Sequence, residues 1–157
     1  MAHFTPETFQ TSLLGMLIGR ADLLKNRILD KHLEPHGLTA QQFKVLVIVA
    51  LYDAETPADL CRALCLDSGS MTRMLDRLEQ KDLLVRTRSE ADRRQVRLVL
   101  TDSGKEIADL LSEIGAKAMN EMVGVLEDSE LAMLEKLLTK VLVAAADPIT
   151  IARIAAR

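Results

Sequence analysis

Between Asp82 and Thr101 the apolar residues leave the helical spacing seen on either side and recur at every second position. Leu84, Arg86 and Arg88 alternate with Val85 and Thr87, and Val96, Leu98 and Leu100 alternate with Arg97 and Val99. Two short strands flanking a polar tip, Ser89 to Arg94, are expected inside a chain that otherwise reads as helix. That combination restricts the fold to a mainly α, α+β class.

The helices are bounded by clear signals. From Phe9 to about His32 the residues Leu14, Leu17, Ala21, Leu24 and Ile28 recur at steps of 3 and 4, the seam of a packing helix. "EPHG", Glu34 to Gly37, ends it, because Pro35 disfavours helical geometry at Glu34 and Gly37 accepts positive φ. "TAQQ", Thr39 to Gln42, has the form of a capping box and starts a helix through about Leu51. "TPAD" starts a short third helix with Thr56 as cap and Pro57 at its first position, and "LDSG" starts a fourth, capped by Asp67 or Ser68, that runs to about Lys81. Thr101 caps a long helix with a seam of Ile107, Leu111, Ile114, Ala118, Met122 and Val125, and Asp128 or Ser129 caps a last one carrying Leu131, Leu134, Leu138 and Val141.

Helices three and four are separated by only a few residues, which is helix-turn-helix spacing, and the hairpin follows at once. The expected architecture is a winged helix-turn-helix lobe over 39–101 within a single domain, 1–157, with long helical segments over 9–37 and 102–146. Those terminal helices carry more apolar seam than the lobe can cover, so they are expected to pair two copies as a homodimer.

The 157 residues carry a net charge of -3, but the charge is uneven: residues 67–100 hold 8 Lys/Arg against 6 Asp/Glu, whereas residues 101–157 hold 6 against 10. The basic stretch coincides with the fourth helix and the hairpin. In that helix Met71, Met74, Leu75 and Leu78 face the core, leaving Ser70, Arg73 and Arg77 opposite, with Thr72, Asp76 and Gln80 beside them. Arg73 and Arg77, one turn apart, repel each other by a few tenths of a kcal/mol unless an anion faces them. A DNA major groove supplies phosphates and guanine acceptors. Alternatively, Asp76 neutralises one of the two arginines on an ordinary solvated face. Ser68, Gly69 and Ser70 at the helix start allow close approach of a phosphate to free amides. On the hairpin tip, Arg94 can enter a narrow minor groove with Asp92 holding its guanidinium extended; an ordinary charged turn is the other reading.

"LTAQQFKVL", "TPADLCRAL", "GSMTRMLDRLEQKDLLVR" and "EADRRQVRLVLTDSGKEI" resemble, in order and spacing, the signature segments of the MarR family of winged-helix transcriptional regulators, over roughly residues 10–145. The resemblance implies a cytoplasmic homodimer whose fourth helices enter successive major grooves of a pseudo-palindromic double-stranded DNA operator. Carried over by position, Ser68, Ser70, Thr72, Arg73 and Arg77 are the helix contacts, Arg94 the wing contact and Asp92 its partner. It also implies release from DNA by a small aromatic carboxylate or phenolic effector, for which the matching positions are Pro57, Thr72, Arg77 and Arg86. One departure is Asp82, where the family usually has Gly; Asp tolerates left-handed geometry better than most residues.

Cys61 and Cys65 lie four residues apart on the expected third helix, poorly placed for an unstrained disulfide, and read as reduced thiols. They leave open a redox-sensing repressor. A winged-helix module that binds a protein partner is a reading of another class. His32 and His36 are interrupted by Pro35, so no metal site or cofactor is expected. No nucleophile elbow, phosphate-cradling glycine loop or acid–base histidine pair occurs, so an enzyme is not expected. The longest apolar runs, such as Val45 to Tyr52, fall well short of the roughly 20 residues of a membrane span.

Overall fold

The computed structural model describes residues 3–51, 56–88 and 95–155. Helix α1 (Pro6–Thr11) is followed by α2 (Leu14–Leu33), a 3-10 turn (Glu34–His36), α3 (Ala40–Leu51), α4 (Pro57–Leu64), α5 (Ser68–Gln80), strands β1 (Leu84–Arg88) and β2 (Val96–Leu100), then α6 (Asp102–Val123), α7 (Asp128–Ala144) and α8 (Pro148–Ala155). The strands pair antiparallel, with Leu84 opposite Leu100, Arg86 opposite Leu98 and Arg88 opposite Val96.

Most boundaries follow the chemistry of the sequence. Gly37 closes the 3-10 turn at φ +64. Thr39 and Gln42 exchange reciprocal bonds, with the Gln42 amide donating to Thr39 Oγ1 at 3.3 Å and the Thr39 amide donating to Gln42 Oε1 at 3.2 Å. Thr56 and Asp59 form a second capping box, with Pro57 at the start of α4. Asp82 adopts the expected left-handed conformation, φ +55.

Four boundaries depart from expectation. The first long helix is two: Ser12 is extended at ψ 129 and its Oγ accepts from the Leu14 amide, so Phe9 belongs to a separate short helix begun by Thr5 and Pro6. Cys65 is not inside α4 but caps it at φ +51. Helix α7 starts one residue early, with Glu127 as cap and its amide donating to Glu130 Oε2 at 2.9 Å. A further helix, α8, follows where Asp147 accepts from the Thr150 amide at 2.8 Å, with Pro148 at the first position. Val125 falls past the end of α6 and is 89% exposed, so it leaves the α6 seam.

Leu33, Val45, Leu46, Leu60, Met71, Leu75, Leu78 and Leu84 are fully buried, one cluster drawn from α2, α3, α4, α5 and β1. Helix α6 closes it with Leu111, Ile114 and Ala118, and α2 adds Ile28 and Leu29. Lys31 and His32 of α2 also both reach Glu121 of α6, each at 2.9 Å, and the bond from Lys31, then that from His32, holds the Glu121 carboxyl below its usual range. The ends of the chain behave differently. Leu14, Leu17 and Ile18 of α2 and Met133, Leu134, Leu137, Leu138 and Val141 of α7 are exposed, and α7 buries no residue.

The lobe meets α6 at one close junction. The Thr101 hydroxyl donates to the Asp82 carbonyl and accepts from the Gly104 amide at 2.9 Å. A Cβ on Gly104 would lie 1.9 Å from the Leu83 carbonyl oxygen, so only glycine lets α6 start this close to the turn after α5. Gly104→Ala is expected to lower stability by about 1–3 kcal/mol through forced backbone displacement. Gly115→Ala, whose added carbon would sit 3.7 Å from Phe43 Cζ, is expected to be neutral or stabilising by up to about 1 kcal/mol. Urea denaturation of the two variants checks the contrast; equal effects would remove the special role of the junction.

Candidate nucleic-acid interface

Helix α5 is set by its buried side. Met71, Leu75 and Leu78 are at most 1% exposed, and Met74 is partly covered. The same period puts Ser68, Gly69, Thr72, Arg73, Arg77 and Gln80 in solvent, with Ser70 half-buried. The helix-turn-helix and the cap at Asp67 thus present one polar face from Ser68 to Gln80.

At the head of that face, Asp67 Oδ1 accepts from the Ser70 amide at 2.9 Å and Oδ2 from the Ser70 hydroxyl at 2.7 Å. These two bonds, the hydroxyl's first, hold the Asp67 carboxyl below its usual range. Arg73 Nη2 donates to Ser70 Oγ at 3.1 Å. The Thr72 hydroxyl donates back to the Ser68 carbonyl at 2.8 Å, an ordinary i−4 bond in a helix.

Asp76 pairs with neither Arg73 nor Arg77. Both Asp76 and Glu79 turn to Arg86 on β1: the Arg86 amide donates to Glu79 Oε1 at 2.8 Å, Nε to Glu79 Oε2 at 3.0 Å, and Nη2 reaches both carboxylates. The Arg86 side chain is 29% exposed. Hydrogen bonding to Arg86 outweighs desolvation and holds the Glu79 carboxyl low, while the Arg86 guanidinium is raised by Glu79 first and Asp76 second. The two acids of α5 are therefore consumed by the wing, and among the described residues Arg73 and Arg77 have no carboxylate partner.

The structure puts Ser68, Thr72, Arg73 and Arg77 on the exposed side of α5, with Ser70 half-buried. Asp92 and Arg94, with the rest of the hairpin tip, lie outside the described residues. The four positions implied for an effector are spread over three elements: Pro57 opens α4, Thr72 and Arg77 face outward on α5, and Arg86 is held between Asp76 and Glu79. Two hollows, of about 550 and 480 Å³, are lined by none of the four; the larger lies where α2 ends and α3 begins and includes Asn26, Asp30 and Thr39.

Cys61 is half-buried against the core and Cys65 is exposed. Among the described residues no three His, Cys, Asp or Glu side chains converge as metal ligands, and no helix is long and apolar enough to cross a membrane. The missed elements of the site are Glu79 as the partner of Arg86 and Gly104, which lies against the Leu83 carbonyl. Asp76 and Glu79, three residues apart, are followed across a tight turn by both Arg86 and Arg88, and that spacing does not decide which cation they take.

Comparison with known proteins places this geometry. The MarR family model matches residues 38–96, which span α3 to the first residue of β2. The multiple antibiotic resistance protein MarR of Escherichia coli is 38% identical over 130 residues, covering 82% of this chain and 90% of its own. A cysteine-to-serine mutant of Escherichia coli MarR complexed with operator DNA superimposes with a TM-score of 0.76 at 37% identity, over 85% of this chain and 96% of that one. Bordetella bronchiseptica BpsR, whose DNA binding is regulated by 6-hydroxynicotinic acid, superimposes with a TM-score of 0.71 at 27% identity, over 81% and 91%.

Arg86→Met should separate wing from helix electrostatically while keeping the length of the side chain, at a cost of about 1.5–3 kcal/mol, the range for hydrogen bonds to charged groups. Because the Glu79 pKa is depressed in the folded state, its contribution is present above the unfolded carboxylate pKa, about 4.3, and is lost as pH falls through the lower folded value. The stability gap between wild type and Arg86→Met is expected to narrow between pH 6 and pH 3. A gap independent of pH, in parallel urea titrations, would contradict the pairing.

Proposed function

This chain belongs to the MarR family, and we propose that it is a sequence-specific regulator that binds a pseudo-palindromic double-stranded DNA operator as a homodimer in the cytoplasm. In this reading it is a repressor released by a small aromatic carboxylate or phenolic anion. The observation that carries DNA binding is the state of α5: its carboxylates are bound to Arg86, and Arg73 and Arg77 stand on the exposed face without a carboxylate partner among the described residues. A helix-turn-helix offers such a face to a major groove, where arginine finds phosphates and the guanine O6 and N7 acceptors together. The relative solved in complex with operator DNA supports DNA binding as the activity.

Pairing of two copies is supported by the apolar residues left exposed on α2 and α7, a surface too extensive for a lone helical pair to leave in water. A two-fold dimer would set the two α5 helices one helical turn of DNA apart, the spacing a palindromic site requires. The effector class is supported by the Bordetella relative, since 6-hydroxynicotinic acid is an aromatic carboxylate with a ring hydroxyl. An anion that favours a dimer with the wrong helix spacing must weaken operator binding by the factor with which operator weakens anion binding. Of the implied positions, Arg77 has no carboxylate partner among the described residues, whereas an anion reaching Arg86 must displace two.

Operator affinity is expected to fall steeply with salt, with a slope of about −0.9 in log K per log[salt] for each phosphate neutralised. Arg73→Ala is expected to cost about 1–3 kcal/mol on the operator and to relax preference at one base step, as a base reader would. Fluorescence anisotropy on duplexes selected from a random pool measures both. A shallow salt slope would instead favour a winged-helix module that binds a protein. Titration of salicylate or 6-hydroxynicotinate at fixed salt is expected to lower operator affinity; unchanged affinity would remove this effector class.

A further inference from the structure

Ser70 is a candidate DNA contact by position, but its hydroxyl is already committed. A hydroxyl has one proton, and here it points to Asp67 Oδ2 at 2.7 Å. Arg73 Nη2 can only donate, so at 3.1 Å it must use a lone pair of the same oxygen. The direction of the network is therefore fixed: Arg73 donates to Ser70, and Ser70 donates to Asp67. With its proton spent, Ser70 has none to offer a phosphate or a base acceptor.

The network also sets where the guanidinium lies. Side chains on a helix lean toward its N-terminus, and the bond to a residue three positions earlier draws Arg73 further that way. It passes over Gly69, where a Cβ would sit 3.6 Å from Arg73 Nη1 and 3.2 Å from Asp67 Oδ1. A Cβ there would crowd Asp67 Oδ1 and come into ordinary contact with Arg73 Nη1. Arg73 is thus held over the first turn of α5, the part of a recognition helix that reaches deepest into a major groove. One of its five N–H donors is used on Ser70, so four stay available, enough for a bidentate approach to guanine O6 and N7.

Resting on the DNA-binding reading above, we infer that Asp67 and Ser70 are positioning residues that aim the Arg73 guanidinium at a guanine in each half-site, and that Ser70 acts on DNA through Arg73. This also accounts for a carboxylate at the head of a helix that faces phosphates. Asp67 repels the DNA backbone, yet both its oxygens are turned to Ser70, and through it the acid orders an arginine. A cap role alone requires only Oδ1 and the Ser70 amide, which do not involve the Ser70 side chain.

That separation makes the test selective, because Ser70→Ala keeps the backbone cap and loses only the relay. The full-length protein is first used to select duplexes from a random pool, and the selected site is compared with versions in which each guanine is changed singly, including to 7-deazaguanine. Ser70→Ala is expected to lower discrimination at one guanine per half-site about tenfold, the scale of a bidentate arginine pair, with affinity for unselected duplex within twofold of wild type. Ser70→Thr restores the hydroxyl and is expected to retain the preference. Arg73→Ala is expected to lose the same preference, and adding Ser70→Ala to it should change nothing further.

Ser70→Ala with unaltered base preference, or with the same effect in the Arg73→Ala background, overturns the relay. Equal loss on every duplex makes Ser70 a phosphate contact instead and overturns it too. If wild type itself selects no sequence, the DNA-binding reading fails first, and that outcome is distinct from the others. Unchanged helicity and melting temperature in Ser70→Ala are expected; a collapse of both, with Ser70→Thr also losing the preference, would assign the residue to folding and overturn the proposal.

Discussion

The arginine at the base of the hairpin organises the recognition helix by taking its acids away. Arg86 reaches back across the turn after α5 to Asp76 and Glu79, and its own amide is bound by the same Glu79 carboxylate. Two consequences follow from one set of bonds. The first strand of the wing is bonded to the helix beside it. The helix face keeps Arg73 and Arg77 without the carboxylates that would otherwise neutralise them at i+3 and i−1. A fully exposed ion pair contributes on the order of 0–1 kcal/mol, and this partly covered, multiply bonded one is expected to contribute more. Here the distribution of charge that the pairing leaves behind matters more than its energy.

A second constraint ties this unit to the long helices. Asp82 in left-handed geometry, Leu83 with its carbonyl against Gly104, and Thr101 bonded to both sides bring the end of α5, the end of β2 and the start of α6 within one junction. The junction has no spare volume at Gly104, so a tilt of α6 must be felt at Leu83 and hence at α5 and β1. The same junction therefore ties the position of α5 and β1 to that of the long helix α6.

Much of this was legible because it depends on local chemistry. The capping box at Thr39, the cap at Thr56, the glycine stop at Gly37 and the change of period at Leu84 are each decided within four or five residues, and the structure agrees with all of them. The misses have a common cause. The break at Ser12, the cap at Cys65 and the separate helix after Asp147 interrupt or extend helical patterns whose apolar spacing continues across them. Of the site, the outward face of α5 was readable from its buried complement, Met71, Leu75 and Leu78. What Asp76 pairs with was not, because three cations lie within reach of it in sequence and the turn geometry at Asp82 decides between them. Likewise Ser70, read as part of the outward face, is half-buried, and the direction of its one proton is a property of the folded cap.

An acidic protein with a cationic helix face is a smaller paradox than its net charge suggests. Exposed charges are screened over about 8–10 Å at physiological salt, so what a phosphate meets is the arrangement at the helix face rather than the sum over the chain. The acid excess lies after Thr101, and there Asp102, Glu113 and Glu121 are spent on Lys105, Lys117 and Lys31. Within the recognition helix the count of acids and bases is even, two of each, yet the bonds to Arg86 make it act as a cationic surface. The basic character belongs to the fold, since an unfolded α5 would be neutral along its length and only the docked wing separates its charges.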